Sequence, residues 1–382
     1  MAYEIMLIES FQGYADPDQI AAGGKWDVGL STTTYVTLIE GPRGAPSKAL
    51  NLFAAGDKVG RSLGSYTGAA GVWYMACRRR SSSGGEAAVI GLSDLQGRGV
   101  VQLQVAVGSG LPMIRTDGSG YALGAYEQVL GIGSQSVNDG EWHFFEILAD
   151  VQDANSTSTV QLWIDGELVV DYSGTLDTVP AGAPTSEFPT TFMMGQVSNI
   201  TNGVRNSDQD FADVILMRGG VTAGPEMVVP SGGPPYGDVV VDAFFPTTLV
   251  SAGTWTPTAG TEVEAVDGDD KVFNDADSVQ SSTLTSPALF STTDTFTRSV
   301  HSVIGVAVTA RAKKTQSGVV QQVNLMRTDG TATDRVSTVP KYLATSMHQV
   351  QNLWAFDPAT SSGWMAATVE ATVFGTQISS FS

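Results

Sequence analysis

The sequence predicts an all-β chain with two successive β-domains, and three observations carry that prediction. Apolar runs are short and stand between clusters of Gly, Pro, Asp, Ser and Thr, the punctuation of strands and turns. Where a run is long enough to show a period, the period is two: Val101, Leu103, Val105 and Val107 alternate with Gln102, Gln104 and Ala106. Glycine is 43 of 382 residues, about 11% against a usual ~7%, which suits a chain rich in tight turns. At roughly 150 residues per domain, 382 residues set two or three domains as the prior.

Charge and cysteine usage narrow the function. Lys plus Arg is 20 and Asp plus Glu is 39, a net charge of −19. A chain this acidic, with no long basic run, lacks the electrostatic footprint of a nucleic-acid or anionic-membrane binder. No run of 18 apolar residues exists, so no membrane insertion is expected. The single cysteine, Cys77, excludes an intrachain disulfide and a multi-cysteine zinc site. Residues 1–9 carry two acids and no basic n-region, which does not read as a secretory signal and points to folding in a cytoplasm.

The elements follow in order. Glu4–Ser10 reads as a buried strand and Asp18–Ala22 as a short helix. Tyr35–Glu40, Gly71–Arg78, Ala87–Leu92 and Val100–Val107 read as further strands. Glu141–Tyr172 is the clearest unit. Trp142, Phe144, Glu146 and Leu148 share one face, and His143, Phe145, Ile147 and Ala149 the other. Both faces are largely apolar, which places this strand centrally. Val160–Ile164, Asp165-Gly166 and Leu168–Asp171 then spell a two-residue hairpin. Phe211–Met217 closes the first domain, residues 1–220. Residues 221–237 hold Pro225, Pro230, Pro234 and Pro235 among glycines and read as an extended linker. In the second domain, residues 238–382, strands are expected at Val239–Phe244, Val303–Ala310, Val319–Met326 and Ala367–Phe374. The middle two are expected to pair.

Enzyme motifs are missing. There is no G-x-S-x-G elbow and no H-E-x-x-H. Gly118–Gly124 misses the dinucleotide spacing. Glu141 and Glu146 fall on opposite strand faces, so they make no glycosidase pair. No enzymatic activity is expected. Asp208, Asp210 and Asp213 are the candidate calcium ligands, because hard cations take clustered carboxylates; the acidic run Asp267–Asp277 is a second such cluster. Solvated acidic loops are the alternative for both. Trp163 points opposite to Leu162 and Ile164, among polar neighbours. With Trp73 it is the candidate for stacking on a sugar ring, and core packing is the alternative. Arg78-Arg79-Arg80 is the one basic run, suited to an acidic patch on a neighbouring subunit. Beside it, Cys77 is either activated by positive neighbours or a buried strand-end thiol.

Gly140-Glu141-Trp142-His143, the run Val160–Ile164 and the Asp165-Gly166 that ends it resemble the laminin-G-like, concanavalin-A-like jelly roll. Ser47–Leu52 and Phe211–Leu216 are similar to that family's early and closing strands. The resemblance implies an N-terminal jelly-roll β-sandwich followed by a smaller β-sandwich-like domain. The Glu-x-Asp-x-x-Glu motif of the family's glucanase branch is absent. The second half is similar to a module of tailed-bacteriophage virion proteins, through Tyr236–Asp242, Trp255–Thr258, Ile304–Val308, Asp357–Thr360 and Trp364. That resemblance implies a structural virion protein assembled in the host cytoplasm. It would be tail-associated (fibre, tip or baseplate), a trimer or hexamer with itself, in contact with other virion proteins and with host-surface carbohydrate. A capsid-decorating or head-fibre protein and a carbohydrate-binding module are the alternatives.

Overall fold

The computed structural model describes residues 3–21, 25–26, 36–44, 47–53, 57–64, 71–82, 87–94, 99–117, 127–152, 157–176, 189–195, 208–219, 236–237, 239–266, 276–296, 298–327, 335–337 and 340–381. The chain is all-β. It divides into one unit of Met1–Phe11 with Trp26–Val241 and a second of Gln12–Lys25 with Asp242–Ser382.

The first unit holds fourteen strands among the described residues: β1 Tyr3–Glu9, β2 Val36–Glu40, β3 Lys48–Leu52, β4 Lys58–Ser62, β5 Gly71–Arg80, β6 Ala87–Ser93, β7 Gly99–Val105, β8 Pro112–Asp117, β9 Glu127–Ile132, β10 Trp142–Val151, β11 Thr157–Ile164, β12 Glu167–Thr175, β13 Thr191–Gly195 and β14 Gln209–Gly219. They form an eight-stranded sheet, β12-β11-β10-β5-β14-β3-β2 with β1 also on β14, and a six-stranded sheet, β4-β13-β6-β7-β8-β9. Neighbours that are distant in sequence, such as β5 between β10 and β14, are the crossovers of a jelly-roll sandwich.

Alternation along β5 and β10 decides what each sheet face carries. Trp73, Met75, Cys77 and Arg79 share one face of β5 with Phe145, Ile147 and Ala149 of β10, and all are buried. This face looks toward the six-stranded sheet: Arg79 Nε donates to Gln209, and the Gln209 amide donates to the Ala88 carbonyl of β6. Phe192, Leu92 and Val101 line up across β13, β6 and β7 as the opposing core row. The other face of the eight-stranded sheet, carrying Tyr74, Arg78, Arg80, Trp142, Phe144 and Glu146, is its outer face. The β11–β12 hairpin forms as the sequence predicts. Asp165 and Gly166 both have positive φ, 51° and 86°, the requirement of a type I′ turn.

The second unit contains β15 Thr248–Ser251, β16 Thr256–Pro257, β17 Val279–Gln280, β18 Ala288–Ser291, β19 Val306–Ala312, β20 Val320–Arg327, β21 Arg335–Val336, β22 Lys341–Tyr342, β23 His348–Trp354 and β24 Val373–Phe381. It also holds the short helices α1 Pro17–Ala21 and α2 Ala366–Glu370. A sheet β15-β18-β24-β20-β21, with β22 also on β20, faces the pair β19-β23 across a small core of Val320, Leu343, Val350 and Ile378. Asn324, fully buried on β20, bridges the two layers by donating to the carbonyls of Val308 and Val350.

Three expectations for this half are corrected. Residues 239–247 form no strand; Val241, Ala243 and Phe245 donate instead to the side chains of Asp213, Gln12 and Asp294. β19 and β20 do not pair with each other: β19 takes β23 and β20 takes β24. The expected strand Ala367–Phe374 straddles α2 and the start of β24. Residues 118–124, 221–235 and 267–275, where the glycine loop, most of the linker and most of the second acidic cluster fall, lie outside the described residues.

Candidate functional site

The outer face of the eight-stranded sheet carries polar groups at both of its parts, and the two parts differ. At one part the face is covered. Tyr236 and Gly237 donate their backbone N–H groups to Glu146 Oε1 at 3.0 and 3.2 Å, and the Tyr74 hydroxyl donates to the same oxygen at 3.0 Å. The Tyr236 ring meets Tyr74 edge-on, 5.0 Å between centroids. Burial, followed by the Glu146 charge, pushes the Tyr74 hydroxyl well above its ordinary range. Further along, Asp213 sits at a β-bulge of β14 with φ 50°. It is fully buried and accepts from Arg43 at 2.6 Å, Arg78 at 2.9 Å and the Val241 N–H at 3.1 Å. Arg43 and Arg78 donate in turn to the carbonyls of Val241 and Val239. Residues 236–237 and 239–241 are therefore strapped to the sheet by two buried carboxylates.

At the other part the face is open. Register places Trp142 of β10, Arg80 of β5, Asp210 of β14, Asn51 of β3 and Thr37 of β2 in one row across five strands. Residues directly opposite in adjacent antiparallel strands share a face, so the row is contiguous. The Arg80 guanidinium lies 4.9 Å from the Trp142 ring centroid, and its Nε donates to Asp210 at 2.8 Å. The Asn51 amide donates to Asp210 at 2.8 Å and also to Asp208. Trp142, Arg80 and Asn51 are half-buried and Asp208 is exposed. The result is an indole followed by a cation, a carboxylate, an amide and a second carboxylate, each held by its neighbour and each reachable from water, except that Asp210 is mostly covered.

The residues singled out by sequence fall on both parts. Asp208 and Asp210 come together on Asn51. Asp213 is held apart from them by its two arginines, and among the described residues no group of three His, Cys, Asp or Glu is placed to hold a metal ion. Trp163 lies on the outer face, paired across from Glu146 and opposite in direction to Leu162 and Ile164. It is only 5% exposed, and Trp73, on the inner face under the Arg218 guanidinium, is 0% exposed. An indole that stacks on a sugar ring presents that ring to solvent; both of these are covered, Trp73 on the inner face and Trp163 on the outer. Cys77 is a buried thiol, inside β5 rather than at its end, pushed up to about 12 by burial. The basic run is divided by the strand period: Arg78 and Arg80 face outward to Asp213 and Asp210. Arg79 is fully buried on the core face, where it bonds Gln209, the Val137 carbonyl and Asn138.

Sequence reasoning missed Trp142, Arg80 and Asn51 as one row. Each residue type was visible, but their register was not. A second assembly passed unnoticed at the same end of the sheet. His143 lies between two carboxylates, Nδ1 2.7 Å from Asp165 and Nε2 3.1 Å from Asp139. Among the described residues no helix is long and apolar enough to cross a membrane.

Fold and face together define a jelly-roll β-sandwich with a polar, aromatic-ended ribbon on its larger sheet. No protein-family model matches the sequence, and no curated protein does. Solved structures are similar at low identity and low TM-score. A glucuronan lyase from the fungus Trichoderma reesei is 15% identical, with 50% of this chain and 90% of that chain covered and a TM-score of 0.36. The carbohydrate-binding module CBM66 from Bacillus subtilis is 13% identical, with 48% and 93% covered and a TM-score of 0.29. The catalytic domain of a glycoside hydrolase family 131 protein from Coprinopsis cinerea is 16% identical, with 57% and 96% covered and a TM-score of 0.34. These likenesses concern the fold. The expectation of a non-enzymatic chain is corrected to no assignment either way: two of these three similar structures are named a lyase and a glycoside hydrolase catalytic domain, and neither activity is established for this chain.

Proposed function

We propose that this protein binds carbohydrate, and that it does so along the ribbon from Trp142 to Asp208. The observation that carries the reading is the row itself. Sugar recognition asks for an aromatic surface beside planar groups that donate and accept hydrogen bonds to vicinal hydroxyls. Arg80, Asp210, Asn51 and Asp208 supply donors and acceptors in alternation on rigid strands, next to an indole. Their mutual bonds hold the side chains in place before a ligand arrives, which lowers the ordering cost of binding. The net charge of −19 favours an uncharged saccharide over an acidic one.

The test is binding of the full chain to a panel of neutral and acidic oligosaccharides by calorimetry, with Trp142→Ala and Arg80→Ala alongside. Saturable binding to a neutral glycan that both substitutions abolish is the expected result. Binding that survives both, or no binding to any saccharide at millimolar concentration, sinks the reading. Release of reducing ends during the same incubation would extend it to catalysis. A place in a tailed-phage virion, and a trimeric or hexameric state, rest on the sequence resemblance of the second half. Light scattering on the purified chain tests the latter, and a monomer speaks against it.

A further inference from the structure

Both ring nitrogens of His143 face carboxylate oxygens: Nδ1 faces Asp165 at 2.7 Å, and Nε2 faces Asp139 Oδ1 at 3.1 Å and Oδ2 at 3.3 Å. A neutral imidazole has one N–H and one lone pair, so it can satisfy only one ionised carboxylate; the second contact would set a lone pair against an anion. Only the imidazolium, with a proton on each nitrogen, fits this geometry. Asp139 and Asp165 have further duties. Asp165 accepts the Phe144 N–H at 2.8 Å and forms the β11–β12 turn, and Asp139 accepts the Glu141 N–H at 3.0 Å. The two carboxylates thus come from different segments, the loop before β10 and the hairpin after β11, and His143 is the group that joins them. Trp142, the aromatic end of the ribbon, lies between Glu141 and His143.

We propose that His143 is a protonated clasp at neutral pH, and that loss of its proton unfastens the start of β10 and lowers ligand affinity at the Trp142 ribbon. The second half of this statement rests on the carbohydrate-binding reading; the first does not. The surrounding charges are accounted for. Arg79 lies directly across from His143 on β5 and Arg78 acts on Asp165, while the two carboxylates are the charges in contact with the imidazole itself. The Phe145 ring meets the imidazole at 6.4 Å, edge to face, and carries no charge. The carboxylates win by contact. The Asp165 hydrogen bond, then that of Asp139, raises His143 above its ordinary value against the pull of burial.

Nitrogen-15 NMR of the imidazole in the full chain reads the proton count directly. Two protonated nitrogens on His143 at pH 7, titrating at a pH above the ordinary value of about 6.5, are expected. A single-tautomer neutral ring at pH 7 overturns the clasp. His143→Gln keeps one donor and removes the titration. Amide exchange at Phe144 and Glu141 is expected to accelerate at least tenfold in the wild type as pH rises past the His143 midpoint, beyond the intrinsic pH effect. In His143→Gln that extra step is expected to vanish, and an unchanged step there overturns the proposal. Glycan affinity measured over the same range separates the two ideas. A wild-type affinity that falls at the His143 midpoint supports the coupling, and a flat one overturns it. Absence of glycan binding at every pH defeats the carbohydrate reading and leaves the NMR result to judge the clasp.

Discussion

Asp210 and Asp213 stand three residues apart on β14, reach the same outer face and each meets an arginine of β5, yet they live in different surroundings. Asp213 is fully buried between Arg43 and Arg78 and completes its shell with a backbone N–H of the strap. Asp210 pairs with an Arg80 whose side chain is 37% exposed and shares Asn51 with the exposed Asp208. The same ion-pair chemistry therefore serves two ends. Where the chain itself covers the face, the pair fastens structure. Where water reaches it, the pair is a preformed set of donors and acceptors.

That contrast makes ranked predictions. Removing one partner of a buried ion pair leaves an uncompensated charge, at a cost of about 3–5 kcal/mol. Asp213→Ala, which strands both Arg43 and Arg78, is expected to lower unfolding stability by that amount in urea. A loss of less than about 1 kcal/mol would erase the distinction between the two parts.

Glu146→Ala removes the common acceptor of Tyr74, Tyr236 and Gly237, an expected loss of about 1–3 kcal/mol from buried donors left unsatisfied. Faster amide exchange at Tyr236 and Gly237 than at the centre of β10 would locate the damage in the strap; unchanged protection there would show that Glu146 does not hold it.

On the open part, Arg80→Ala forfeits a half-exposed ion pair and a cation–π contact, together about 1 kcal/mol. A thermal shift of a few degrees or less, with glycan affinity lost, is the expected pairing. A large stability loss would move this row into the structural class.

The smallest effect is the pH response. The raised His143 contributes stability that is fully present below the unfolded-state value of about 6.5 and is lost as pH rises through the folded-state midpoint. Asp139 and Asp165 behave oppositely. Asp139 is lowered by the Glu141 N–H and then by His143; in Asp165 burial pulls upward but the His143 and Phe144 hydrogen bonds prevail. Their contributions are present above about pH 4 and fade as pH falls further. Stability of His143→Gln relative to wild type is therefore expected to be worst between those limits and to converge with it in alkali; a constant difference across pH would contradict the assignment.

Much of the first unit was legible because its signals are local. Within the unit Glu141–Tyr172, residues Trp142–Ala149 announced two apolar faces, and the strand they form, β10, sits between β5 and β11; Asp165-Gly166 announced the β11–β12 hairpin, whose two-residue turn has positive φ at both positions. The second unit hid its pairing because its strands meet partners far away. β20 and β24 stand some fifty residues apart, and nothing in Val320–Arg327 names Val373–Phe381 as its neighbour. Gly375 shows what the sequence withheld: a side chain there would strike the Ala288 carbonyl, so its glycine marks a close approach of β18 that only the fold reveals.

By itself, the sequence determined the β class, the period that sends Arg79 inward and Arg78 and Arg80 outward, and the turn that shapes Asp165. Those follow from backbone sterics and alternation, which act between residues near in sequence. Tertiary structure alone decided that Trp163 is covered, that Asp213 is a strap anchor, that Trp142 heads a row ending at Asp208, and that His143 meets two carboxylates at once. Each depends on register between strands and on which segments cover a face. Those are properties of long-range pairing, and no local pattern carries them.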